Sequence, residues 1–284
     1  MNYIKSISWL VGMSIASSIL ATPVFSQKKR SEKAINVKNI RYEVANRYFV
    51  KNSVPDGNFV YKLTNQVDFD KLFGAATVMG NAGKPTPIDF SKSFVLTVIS
   101  EKSVFNTAIL LERLIISPEN KLNISYQIEK SKEASSMSTR VPLILIIDKK
   151  YDLDFTVSME GEEVTYKLAN RYFVKNNVEN GLFYLTNVTT EEQFNSYFGA
   201  AAVMGEGGIP TQINFETEAI IGIIYPLTKS LPQLKIEQVI KKEGEIQILY
   251  SADIVDEGEN WRELLILILD KNTEAKVIFT EIKR

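Results

Sequence analysis

The residues best suited to acid–base chemistry form a short acidic run, Asp253, Asp256, Glu257 and Glu259, beside Trp261. Two facing carboxylates can hydrolyse a glycosidic bond, and carboxylate oxygens can hold Ca2+. The spacing does not match an EF-hand loop. The corresponding stretch earlier in the chain, Lys132–Met137, carries a single acid, Glu133. Both stretches lie between strand patterns and read as solvated hairpin loops. Ser91-Lys92 and Ser131-Lys132 set a hydroxyl beside an amine, but neighbours on a strand point to opposite faces and cannot act together. Chemistry is narrowed most by two absences: the chain has no His and no Cys. That excludes a Ser-His-Asp triad, a thiol nucleophile, a conventional zinc site, disulfides and a lipid anchor on a cysteine. The glycine-rich segments Gly80–Pro85 and Gly205–Pro210 are not phosphate loops. Lys84 is followed by Pro, and its counterpart is Ile209. No catalytic residue, metal or cofactor is expected, and the chain reads as a non-enzyme.

The elements that would position any site occur twice. Ala45–Asn52 and Ala169–Asn176 are identical over eight residues, Ala-Asn-Arg-Tyr-Phe-Val-Lys-Asn. Further on, Phe73–Gly80 and Phe198–Gly205 share Phe-Gly-Ala-Ala-x-Val-Met-Gly, followed by Pro85-Thr86 and Pro210-Thr211. Within each copy, Ile40, Tyr42 and Val44 alternate with charged residues, as on a half-buried strand. Pro55-Asp56-Gly57-Asn58 signals a turn. A helix is predicted from an Asn65 cap through Phe69, Leu72 and Phe73, and in the second copy from a capping box at Thr189–Glu192. Gly74 and Gly199 would be costly inside a helix and mark its end or a tightly packed turn. Apolar runs at Phe94–Ile99, Val141–Asp148, Ala219–Tyr225 and Leu264–Asp270 predict buried strands. The expected fold class is α+β: two tandem homologous domains, each a mainly antiparallel sheet of about six or seven strands with one principal helix.

Residues 1–26 read as a signal peptide, with Lys5 ahead of a mainly apolar stretch, Ile7–Ala21. A flexible basic leader (27–36) follows, then repeat 1 (37–160) and repeat 2 (161–284). An exported protein is expected, periplasmic or extracellular, with no stable membrane insertion after cleavage. The 33 basic and 34 acidic residues nearly cancel, whereas a nucleic-acid binder needs a basic excess. Repeat 1 carries 16 basic and 14 acidic residues and repeat 2 carries 12 and 19, so the copies present different fields. Asn123 and Asn187 fit the N-glycosylation pattern.

The shared motif has two readings. Tyr48, Phe49, Phe73, Met79 and Phe90 with their counterparts can be core. Alternatively, Arg47, Phe49, Lys51 and Met79, repeated as Arg171, Phe173, Lys175 and Met204, form a duplicated basic-aromatic binding face. A free sheet edge could also bind an extended peptide. The Leu-Thr start, the aromatic-bearing helix (Phe69–Phe73, Phe194–Phe198), the Pro and then Ile88-Asp89-Phe90 before an apolar strand resemble the C-terminal domain of the protease complex subunit PrcB, over both repeats. The Gly-Gly-Tyr segment of that family is absent, and Asn214 stands where repeat 1 has Asp89. The resemblance implies a secreted α+β domain with a non-catalytic accessory role beside a protease or another envelope protein. The alternative function is a glycan-binding protein or a weak carboxylate glycoside hydrolase built on Asp253–Glu259.

Overall fold

The computed structural model describes residues 38–76, 83–201, 208–273 and 275–283, with the backbone alone over 254–261. Repeat 1 runs β1 (Lys38–Asn39), β2 (Tyr42–Val44), β3 (Tyr48–Val50), β4 (Asn58–Leu63), helix α1 (Gln66–Leu72), β5 (Phe73–Ala75), β6 (Ser93–Ile99), β7 (Ser103–Ile116), β8 (Leu122–Thr139), β9 (Pro142–Asp148) and β10 (Phe155–Ser158). Repeat 2 follows the same order: β11 (Glu162–Glu163), β12 (Lys167–Leu168), β13 (Tyr172–Val174), β14 (Phe183–Val188), α2 (Glu191–Tyr197), β15 (Phe198–Ala200), β16 (Glu218–Ile224), β17 (Thr228–Lys242), β18 (Glu245–Trp261), β19 (Leu264–Asp270) and β20 (Lys276–Lys283).

Each repeat builds two four-stranded layers and a small hairpin. In repeat 1 the layers are β1-β7-β8-β10 and β4-β6-β9-β2, and β3 pairs with β5 beneath α1. The middle strand β6 is buried at all seven positions, so its run of Phe94–Ile99 is apolar without alternation. One face of β6 and β9 meets β7, β8 and β10 through Phe94, Leu96, Leu122, Ile124, Leu145 and Phe155. The other face meets α1 and the hairpin through Phe69, Phe73, Val95, Ile99 and Ile144. Repeat 2 repeats this packing around Phe194 and Phe198 on one side and Ile223, Ile248 and Tyr250 on the other.

The layers do not stay within their repeats. β20 runs parallel to β4, pairing Thr280 with Asn58 and Ile282 with Val60. The long hairpin layer of repeat 2 thereby joins the central layer of repeat 1 as one eight-stranded sheet, β11-β17-β18-β20-β4-β6-β9-β2. Residues opposite each other in register share a face. Ile282 and Leu249 thus join the core of Phe94, Leu122 and Phe155 beside Val60, while Phe279 and Tyr250 face the repeat 2 core around Ile223 and Ile248. The outer layers of the two repeats pack on opposite faces of this sheet. From Asn36 to Arg284 the chain is one compact unit.

These findings correct the expected fold class. Strand accounts for 57% and helix for 8%, so the protein is mostly β with a solenoid-like stacking of sheets, not two separate α+β domains. Each described repeat has ten strands, and its α-helix is a two-turn plug of seven residues. The stretches read as loops at 132–137 and 253–260 lie inside β8 and β18. A long hairpin continues past the core because ladder hydrogen bonds satisfy the backbone without buried side chains. β8 is exposed over most of its last half. Bulges interrupt both hairpins. The second helix starts one residue later than predicted: Thr190 is the cap and accepts from the Gln193 N–H at 3.2 Å, while the Gln193 side chain reaches back to the Thr189 N–H. Asn65 caps α1 as its spacing implies, accepting from the Asp68 N–H at 2.9 Å.

The joint between the repeats holds a buried charge. Glu281 is 1% exposed. Its carboxylate meets the Lys283 ammonium at 2.7 Å and the Tyr225 hydroxyl at 3.0 Å. The Tyr184 and Tyr250 hydroxyls bond each other at 2.8 Å. Burial first, and the Glu281 charge after it, hold the phenols of Tyr61, Tyr225 and Tyr250 above the usual tyrosine range. Tyr184 is raised by burial as well. A raised tyrosine pKa keeps the native state protonated where the unfolded chain ionises. Its stabilising contribution is complete below the unfolded value and is lost as pH rises above it. Thermal unfolding followed by circular dichroism should show no tyrosine-linked change from pH 7 to 9. The midpoint should then fall steeply above about pH 10, and a Tyr184→Phe, Tyr225→Phe double variant should flatten that alkaline limb.

Candidate functional site

The repeated octapeptide forms a bend and a short strand. In repeat 1, Ala45 is buried and donates its N–H to the Ile144 carbonyl at the rim of the central layer. Asn46 then exchanges hydrogen bonds with Thr86. Its N–H donates to the Thr86 hydroxyl at 3.0 Å, and its carbonyl accepts from the Thr86 N–H at 3.2 Å. The Tyr48 hydroxyl donates to the Thr86 carbonyl at 2.8 Å. Repeat 2 has the same three bonds between Asn170, Tyr172 and Thr211. This clamp explains why the octapeptide and the distant Pro-Thr pair recur together. Tyr48 and Tyr172 also set their rings edge-on to Phe69 and Phe194, with centroids 5.0 Å apart in both repeats.

The clamp forces an unusual backbone at the arginines. Arg47 has φ of 66° and Arg171 of 65°. For a residue with a side chain this left-handed conformation costs about 1–2 kcal/mol, and Gly would carry none of that strain. Both arginines are exposed. Neither enters an ion pair among the described residues.

Beside each arginine an aromatic ring lies on the surface. Phe49 is 50% exposed and Phe173 is 47% exposed. β3 pairs Phe49 with Gly74 of β5, and β13 pairs Phe173 with Gly199 of β15. A Cβ at either glycine would stand 2.4 Å from the phenylalanine ring. These glycines follow the helix ends, since α1 stops at Leu72 and α2 at Tyr197, and they also seat the phenylalanine rings. Val44 and Leu168, three residues before each arginine, are also large exposed apolar residues.

The other predicted residues fall elsewhere. Lys51 and Lys175 turn back to the helices, where their ammonium groups bond the carbonyls of Asp70 and Asn195. A cation at a helix C-terminus complements the dipole there. Met79 and Met204 lie outside the described residues, as do the side chains of Asp256, Glu257, Glu259 and Trp261. No cluster of three or more potential metal ligands occurs among the described residues. Asn123 is tied into the fold by bonds to the hydroxyls of Thr156 and Ser158. The Glu281 joint was not legible in the repeats, because the residue in its place in repeat 1 is Met159. No described helix is long and apolar enough to cross a membrane. Comparison with protein-family models, curated proteins and solved structures finds no match.

The ring-on-glycine seat can be tested by a double-mutant cycle. Gly74→Ala alone should destabilise by about 1 kcal/mol as the Phe49 ring is displaced. In a Phe49→Ala background the same change should be neutral or stabilising, since Ala is favoured over Gly in a strand. Chemical denaturation measures both, and additive effects would rule out the contact.

Proposed function

We propose that this is an exported, non-catalytic binding protein that holds another protein of the cell envelope through two copies of one Arg–Phe surface. The observation that carries this reading is the strained arginine, kept at the same left-handed φ in both repeats beside a half-exposed phenylalanine. A buried core needs neither residue there. Arg and aromatic side chains supply much of the energy of protein interfaces, and a ring fixed on a glycine loses little freedom when it binds. Export is supported by the basic start and apolar stretch at residues 5–21. An accessory role beside a protease is the form of this function that the resemblance to the PrcB domain favours.

Arg47→Gly with Arg171→Gly separates binding from folding. Removal of backbone strain should leave stability unchanged or raise it by up to about 1 kcal/mol per site. Retention of the envelope partner in co-purification should fall at least about tenfold. A variant that unfolds more easily and still retains its partner would show that the arginines serve the fold.

A further inference from the structure

The joint between the repeats shows what the β4 position accepts, and among the described residues no strand fills the same position in repeat 2. Registers on β6 and β16 make Phe59 and Phe183 equivalent, since they pair with Ile99 and Ile224. Val60 and Tyr184 correspond in the same way. β4 lies between β6 and β20, whereas β14 is the last strand of its four-stranded sheet. Burial follows this difference. Asn58, Phe59 and Val60 are at most 3% exposed, while Leu182, Phe183 and Tyr184 are only half-buried. A cavity of about 320 Å3 opens beside the free edge, with Thr186, Asn187, Ile221 and Val277 among its lining. In repeat 1 the residue at the Thr186 position is Lys62, whose ammonium reaches Asp152 at 2.5 Å and the Leu153 carbonyl at 2.8 Å.

We propose that the free edge of β14 is a strand-addition site for an extended segment of a partner polypeptide, running parallel to β14 as β20 runs to β4. The occupant's chemistry follows from the residues that fill the β4 edge, Thr280-Glu281-Ile282-Lys283. An apolar residue is required opposite Tyr184, where Ile282 stands opposite Val60. A basic residue beyond it covers the half-buried Phe183 ring, as Lys283 lies 5.7 Å from the centre of the Phe59 ring. A second copy of this chain does not supply that strand by repeating the internal joint. The strand that would do so, β10, has four residues where β20 has eight. Met159, which would extend it, has both its N–H and its carbonyl bonded at 3.0 Å to the Gln238 side-chain amide. This site is separate from the Arg–Phe surface and stands or falls independently of it.

The natural absence of cysteine makes the test direct. Thr186→Cys is introduced into the full chain, and the probe is a synthetic peptide with the sequence of Lys276–Lys283. One form carries a cysteine after Lys283 and another carries it before Lys276. Parallel addition in the β20 register brings only the first within disulfide reach, so it should crosslink at least about tenfold faster than the second. The unsubstituted peptide should compete with it saturably. Equal crosslinking of both peptides, or none, would overturn the proposal. Disulfide-linked dimers of the Thr186→Cys chain that the peptide cannot prevent would assign the edge to a second copy and overturn it too.

Discussion

The parallel pairing of β20 with β4 is the contact on which the rest of the architecture depends. Four residue pairs turn two homologous halves into one sheet. The pleat then decides the layering. Ile282 must face the core of Phe94, Leu122 and Phe155 because Val60 does, and Phe279 must face the core of Ile223 and Ile248. The outer layers fall on opposite sides of the sheet for that reason. A head-to-tail contact of this kind leaves unlike edges at its two ends, unlike a two-fold dimer, whose contact is closed. One end carries the amide-bonded Met159, the other the open β14.

A buried carboxylate at this joint is costly unless it is paired. Lys283 and Tyr225 meet that requirement for Glu281. The surrounding tyrosines are held protonated by burial. Perturbed groups often mark functional sites, but ion-pair networks within a fold perturb them as well. Here the cluster lies on and beside β20, the strand that links the repeats, and its polar groups are paired within the fold. The Arg–Phe surface shows the opposite economy. Its clamp and seat are fully satisfied by hydrogen bonds and ring contacts, while its arginine and phenylalanine face outward.

Much of the local structure was legible in the residues. Asn65 caps its helix, and the apolar runs at 94–99 and 264–270 form core strands. Each follows from propensity or period within a few residues. Gly74 and Gly199 follow the helix ends as their pattern implies, but the ring each one seats comes from another strand twenty-five or more residues away in the chain. The hairpins β7–β8 and β17–β18 outran their apolar patterns because paired backbones need no buried side chains to continue. The α+β expectation gave two-turn helices the weight of a layer.

The sequence by itself determined the duplication, the exclusion of imidazole and thiol chemistry, and the local elements, since these depend on composition and short-range spacing. Only the tertiary structure decided that the two copies share a sheet, that Lys51 serves the helix while Arg47 faces outward, and that among the described residues β14 lacks the partner β4 has. Those outcomes rest on strand register and on contacts across more than two hundred residues, such as Ile282 with Val60. Shared motifs cannot encode them locally, because the same motif residues in each copy meet different neighbours.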